Sequence, residues 1–284
     1  MTTTDTANAG PVPGYADFTQ IACVLDDGVL TLSMARPEKQ NAMSIVMVEE
    51  IERALDLVGA DLRVRVVILQ GQGAHFCAGM DMRDFFATGT HPPEKIVQTR
   101  RKVDRFREGQ LRRLPQPVIA AVRGNCLGAA IMLVESSDIV LVADDATFGF
   151  PEINFGFIFG GAIAKAALSL MPRRAAVFHG LTGDVFGAAE AVRLGVATSC
   201  VPPERLDEEA MRLARRLASK DPAALALSKE SVRNVPSMAW DAIAGHIAGL
   251  TAQLQRLQSG PGAKDSRVRD FLDKTFKPGR SDAQ

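Results

Sequence analysis

Apolar residues along the chain fall into two spacings. Val118–Val122 and Ile139–Ala143 are short uninterrupted apolar runs, which predicts buried strands, and Arg65–Gln70 adds another. Ile21–Leu25 and Val29–Met34 flank Asp26-Asp27-Gly28, which predicts a hairpin. Elsewhere the spacing is helical. Ile45, Val48, Ile51, Leu55 and Val58 share one face, with Ser44 placed as N-cap. A second helix is predicted from Met82, capped by Asp81 with Asp84 three residues on. Thr88–Glu94 carries Gly, His and two prolines and reads as a surface loop; Ile96–Leu114 follows as a helix charged on one side. Beyond Val201-Pro202-Pro203 the chain turns to Ala, Leu, Arg and Glu. Helices are predicted there at Glu204–Ser219, Pro222–Asn234, Ala239–Gln258 and Ser266–Lys274, with no strand.

The order strand, tight loop, helix recurs three times before residue 165 without the fixed period of a solenoid, which reads as an α/β fold of stacked ββα-like turns. Residues 1–16, rich in Thr, Gly, Pro and Ala, read as a flexible N-terminal tail. Residues 17–203 then form the core and 204–284 a helical C-terminal subdomain.

Composition changes this picture little but excludes several functions. The 284 residues suffice for a sizeable core, and 46% are hydrophobic, as in soluble globular enzymes. Lys+Arg and Asp+Glu both total 33, so no net field draws the protein to nucleic acid or to an anionic membrane. Local basic runs such as Arg100-Arg101-Lys102 read as solvated helix faces. No apolar stretch approaches the ~20 residues of a membrane span, and the polar start MTTTDTANAG is not a secretory signal. Cys23, Cys77, Cys126 and Cys200 are far apart and the four histidines scattered, so no metal site is expected; reduced thiols fit a cytoplasmic protein.

Candidate chemistry sits after two of the predicted strands. Gly124-Asn125-Cys126-Leu127-Gly128-Ala129-Ala130 breaks one strand and opens a helix, and Cys77-Ala78-Gly79-Met80-Asp81 does the same before Met82. Each loop read alone fits tight packing. Together they offer two backbone N–H groups that can converge on one carbonyl oxygen and stabilise an oxyanion. Phe148-Gly149-Phe150-Pro151-Glu152 adds a carboxylate in an aromatic, proline-stiffened setting, which raises a Glu pKa and suits proton transfer. Enolate chemistry follows from that pair of features. A Rossmann site needs its glycines in an early βαβ unit, no Gly-x4-Gly-Lys-Ser/Thr occurs, and a reductase tyrosine is missing because Tyr15, the only one, is in the tail. A triad from Ser169, His179 and Asp184 lacks the G-x-S-x-G elbow.

Arg36-Pro37-Glu38-Lys39-Gln40-Asn41-Ala42, the 76–81 and 124–130 loops and Phe148–Glu152 together resemble the enoyl-CoA hydratase/isomerase (crotonase) superfamily, collinearly from about Asp17 to Val201. AGMDMRDFF, FGFPEINFG, LTGDVFGAAEAVRLG and FKPG are most similar to its feruloyl-CoA (hydroxycinnamoyl-CoA) hydratase-lyase branch. The resemblance implies a crotonase-like spiral whose helical tail trimerises and covers the active site, as a homotrimer or a dimer of trimers. Its substrate would be an acyl-CoA thioester, with no cofactor beyond that coenzyme A. It assigns oxyanion contacts to Met80 and Ala129 and acid/base work to Glu152. Lys39, Ala42, Ala78, Gly79, Asp81, Met82, Gly128, Met132 and Pro151 would contact CoA or substrate. Read by residue type alone, Met80, Met82, Phe85, Phe86, Phe157, Phe159 and Trp240 either line an apolar acyl pocket or, as is commoner for such residues, belong to the plain core. Met132 stands where two-carboxylate hydratases carry a first Glu, Ala129 and Ala130 replace two glycines, and His246 and Ala248 stand near the branch's phenol-holding tyrosine. The expected activity is single-glutamate hydration or double-bond isomerisation. The alternatives are a hydroxycinnamoyl-CoA hydratase-lyase and a non-catalytic acyl-CoA-binding paralogue.

Overall fold

Strands β1 (Ile21–Asp26), β2 (Val29–Met34), β3 (Val66–Gly71), β4 (Val118–Val122), β6 (Ile139–Ala143) and β9 (Ser199–Val201) form a six-stranded sheet in the order β1-β2-β3-β4-β6-β9. Short β5 (Asn125–Leu127), β7 (Thr147–Gly149) and β8 (Phe186–Gly187) form a second sheet, β5-β7-β8. The computed structural model describes residues 14–87, 90–258 and 272–273. The hairpin β1–β2 turns at Asp26-Asp27-Gly28, as its turn residues predict, and the remaining pairings of the large sheet are parallel.

Both faces of that sheet are covered, which is why its central strands read as unbroken apolar runs. Val67, Leu69, Val118, Ala120, Val122, Val140 and Val142 face one core, while Ile68, Ile119, Ala121, Leu141 and Ala143 face the other. The larger core lies under helices α1 (Ile45–Ala60), α4 (Ile131–Glu135), α5 (Gly161–Leu170), α6 (Arg173–Thr182) and α7 (Ala188–Leu194). Between α1 and α4 come α2 (Met82–Phe86) and α3 (Pro93–Arg105). The smaller core is closed by α8 (Leu206–Ala218), whose Leu206, Ala210 and Ala214 lie against the sheet. Ser44 caps α1 as expected, its hydroxyl accepting from Met47 N at 3.0 Å.

The chain divides into two compact units, Met1–Lys220 and Asp221–Gln284. Helix α8 therefore packs with the sheet, and the second unit holds α9 (Pro222–Asn234) and α10 (Trp240–Leu257). The helix expected at Ser266–Lys274 lies outside the described residues but for Leu272 and Asp273, as does the first part of the N-terminal tail. Tyr15 departs from the tail expectation: it is 5% exposed and joins the larger core, because an aromatic ring gains more by burial than a short coil loses in entropy. The helix predicted over Ile96–Leu114 begins earlier, at Pro93, where proline suits the first helical turn, and passes into a π-helical turn over Phe106–Leu111. Among the described residues no helix is long and apolar enough to cross a membrane.

Candidate active site

Parallel neighbours β2, β3 and β4 end on the same edge of the sheet, so the loops that follow them emerge side by side. Backbone bonds join the loops into one layer. Phe76 N donates to Arg123 O (2.8 Å), Cys77 N to Asn125 O (2.9 Å) and Leu127 N to Cys77 O (3.0 Å). On the other side Ala78 N donates to Gln40 O (2.9 Å), Met43 N to Gly79 O (2.8 Å) and Asp81 N to Met43 O (2.9 Å). In that last pairing the partners are Gly79 O and Asp81 N, so the N–H of Met80, between them, is not one the bridge uses.

Asn41 locks the layer. It is fully buried in a left-handed conformation (φ 55°). Its side-chain oxygen accepts from Arg36 N (2.9 Å), and its amide donates to Gln72 O (2.9 Å) and His75 O (2.7 Å). Arg36 donates to Ala42 O (2.6 Å) and to Asp81 Oδ2 (3.0 Å). The other Asp81 oxygen caps α2 by accepting from Arg83 N (2.9 Å) and Asp84 N (3.2 Å). Despite its desolvation, these hydrogen bonds and the guanidinium hold the Asp81 carboxyl below its ordinary value. Cys77 and Cys126 face each other where two loops cross, and burial pushes the Cys77 thiol up to about 12. Both thiols are therefore un-ionised packing groups.

Two glycines set the close approaches. Gly79 has φ 93°, and a Cβ there would stand 2.8 Å from Leu127 O and 3.4 Å from Ala129 N. Only a glycine lets the first loop lie so near the start of the short 3-10 turn Gly128–Ala130. Ala129, in the first turn of that helical segment, carries an N–H with no partner further back in its helix. Gly128 has φ 53°, and a Cβ there would meet Glu152 Oε1 at 2.6 Å. The carboxylate thus rests on the bare Cα of Gly128, next to Ala129.

Glu152 lies in a 3-10 turn, Pro151–Phe155, closed by Gly156 in a left-handed conformation. Its Oε2 is buried with no hydrogen-bond partner among the described residues. Burial pushes its pKa above the ordinary carboxylate value, and a contact with its own backbone N–H only partly offsets this. A carboxylate with a raised pKa is a stronger base than a solvated one and keeps its proton to higher pH.

These groups wall a cavity of about 690 Å3, within the usual range of small-molecule sites. Of the residues singled out from sequence, Ala78, Gly79, Met80, Met82, Gly128, Ala129, Met132, Pro151 and Glu152 line it. Lys39 and Ala42 lie on the neighbouring loop, with Lys39 exposed, and Asp81 is engaged by Arg36 and α2. Phe85, Phe86 and Phe157 line the cavity, with Phe86 and Phe157 4.7 Å apart. Phe159 packs in the core against Phe150 at 5.0 Å, and Trp240 is 90% exposed on α10. Sequence reasoning missed Arg100, Val103, Phe155, Ile158 and the 160–163 stretch of the lining. The amphipathic spacing of α3 carried a signal for Val103, which is 5% exposed. The triad is not assembled: the Ser169 hydroxyl contacts Ala166 O and Glu135, and His179 Nδ1 sits 3.0 Å from the Asp184 carbonyl.

Comparison with known proteins places this arrangement among relatives. A family model described as enoyl-CoA hydratase/isomerase matches residues 25–257. The chain is 31% identical over 257 residues to a hydroxycinnamoyl-CoA hydratase-lyase of Pseudomonas fluorescens, covering 90% of this chain and 93% of that protein. It is 32% identical over 226 residues to a 1,2-epoxyphenylacetyl-CoA isomerase of Escherichia coli (strain K12), covering 76% and 83%. The crystal structure of an enoyl-CoA hydratase of Mycobacterium smegmatis superposes with a TM-score of 0.82 at 26% identity, covering 90% of this chain and 97% of that one.

Proposed function

The chain belongs to the enoyl-CoA hydratase/isomerase family, and from that premise we propose that its cavity takes an acyl-CoA thioester through an enolate, with Glu152 as the one acid/base group. The thioester oxygen would accept from the N–H groups of Met80 and Ala129. Each such donor is worth roughly 2.7–4 kcal/mol where negative charge develops on oxygen. In hydration, Glu152 takes a proton from water as the water oxygen bonds to the β-carbon, and the electron pair of the double bond moves to the thioester as enolate. Glu152 then gives that proton to the α-carbon, which restores the thioester. In isomerisation, the same carboxylate takes a proton from one of the α- and γ-carbons and returns it to the other.

The observation that carries this reading is the place of Glu152. Its carboxylate lies against Gly128, beside the Ala129 N–H, with one oxygen unpartnered and its pKa raised by burial. Lys39 and the Arg36–Ala42 loop, on the cavity's flank, are assigned to the CoA portion, and no further cofactor is invoked. Similarity to the hydratase-lyase over nine-tenths of the chain favours hydration, and it supports a second reading in which the hydrated product undergoes C–C cleavage. Assembly as a homotrimer or a dimer of trimers and a cytoplasmic setting complete the proposal.

A panel of aliphatic and aryl enoyl-CoAs, followed for water addition, double-bond shift and aldehyde release, tests it. Hydration of at least one thioester, falling by a factor of about 100 or more in Glu152→Gln, is expected. Full turnover by that variant would refute the acid/base assignment. Binding of every thioester without turnover would make the protein a non-catalytic acyl-CoA binder.

A further inference from the structure

Helix α3 brings a second charge to a cavity whose lining is otherwise nearly all apolar. Among the described residues of the lining, Arg100 is the one ionisable side chain besides Glu152. Lys95, Lys102 and Arg105 of α3 are paired with carboxylates of α1. Lys95 pairs with Glu49 at 2.5 Å, Lys102 with Glu49 at 3.2 Å, and Arg105 with Glu52. Arg100 lies about 140° round the helix from Lys95, on the side it shares with Val103. Its contacts there are weak. One guanidinium nitrogen reaches Phe85 O at 3.4 Å, and the guanidinium carbon sits 5.6 Å from the Phe86 ring centroid. Among the described residues no carboxylate pairs with it.

A guanidinium presents five donors in a planar fork that matches a carboxylate, and one long bond leaves most of them available. The ring beneath it packs against Phe157, so the cation has an aromatic face to rest on. Phe85, Phe86 and Val103 make the surrounding wall apolar, which suits an acyl chain better than hydrated phosphates.

We propose that Arg100 selects acyl chains ending in a carboxylate, pairing with that terminal group inside the cavity. The inference rests on the acyl-CoA reading above. It adds a recognition residue to a site whose chemistry is assigned to Glu152. An oxyanion is the ligand in either case, but a phosphate of CoA would draw on Arg100 for every thioester alike.

Calorimetric titration with two saturated thioesters, adipoyl-CoA and hexanoyl-CoA, and with free CoA separates these sources without requiring turnover. Arg100 is exposed, so the parent protein is expected to bind adipoyl-CoA about 2- to 5-fold more tightly than hexanoyl-CoA, the usual worth of an ion pair at such a cation. In Arg100→Met that ratio collapses toward unity, Arg100→Lys retains part of it, and Arg100→Glu inverts it. Equal affinities in the parent protein overturn the proposal. So does an equal loss for all three ligands in Arg100→Met, which assigns the residue to CoA. Failure of the parent protein to bind any of them sinks the acyl-CoA reading itself, whereas binding without the adipoyl preference sinks only this inference.

Discussion

Replacing Gly128 by alanine separates the support of Glu152 from the stability of the fold. The added Cβ has two effects. Holding a non-glycine residue at φ 53° costs about 1–2 kcal/mol in the folded state. That amounts to a fall in Tm of about 2–8 °C for a chain of this size. The methyl also meets Glu152 Oε1 at 2.6 Å and Glu152 Cδ at 3.6 Å. The obstructed atom ends a flexible side chain, so the carboxylate yields before the backbone does. It must retreat roughly 0.8 Å to reach ordinary contact, and a misplacement near 1 Å can cost about 100-fold in rate. Turnover of the best enoyl-CoA should therefore drop by about that factor, mainly in kcat, while thermal unfolding stays cooperative. Gly195→Ala is the control. It carries a similar φ penalty (87°) at the end of α7 and meets Leu170 O at 3.2 Å. It should lower Tm comparably and leave turnover near the parent value. A folded Gly128→Ala protein with undiminished kcat would refute the placement of Glu152 against Gly128.

Three further outcomes follow from the same geometry. Asn41→Ala removes three hydrogen bonds and leaves part-buried backbone groups without them, so urea denaturation should show a loss of about 2–4 kcal/mol. Glu152 has a raised pKa in the folded state, so its contribution to stability is fully present below the unfolded carboxylate value and is lost as pH rises through the folded one. Glu152→Gln should accordingly unfold at a higher temperature than the parent protein at neutral pH, with the gap narrowing on acidification; a constant gap would exclude linkage through this group. Met132 is 4% exposed and lines the cavity, so Met132→Glu sets a second carboxylate into its wall. The variant should cost about 1–3 kcal/mol in stability and hydrate a crotonyl-like thioester faster, measured as rate against pH beside thermal unfolding.

The central strands were legible because burial on both faces writes them as continuous apolar runs, and β1–β2 because its turn residues are specific. Strands β5, β7, β8 and β9 left no such pattern, since two or three residues carry no period and their pairing is imposed by neighbouring loops. Glu152 stood out through Phe150 and Pro151, yet its 3-10 turn and its seat on Gly128 depend on a contact between separate loops. Asp81 was read as a helix cap and a ligand contact; it is that cap and also an ion-pair partner, a role that Arg36, distant in sequence, decides. Arg100 read as part of a solvated basic run because helical position alone does not tell which face a cavity adjoins.

The most direct test of Glu152 as the lone acid/base of an enolate site is hydrogen exchange at the α-carbon of a saturated thioester. Incubating butyryl-CoA with the protein in deuterium oxide and following C2 by NMR or mass spectrometry requires neither hydration nor isomerisation. Enzyme-dependent deuterium incorporation at C2, abolished in Glu152→Gln while calorimetry still detects butyryl-CoA binding, is the predicted result. Binding with no exchange by the parent protein, or exchange undiminished in Glu152→Gln, would contradict the account.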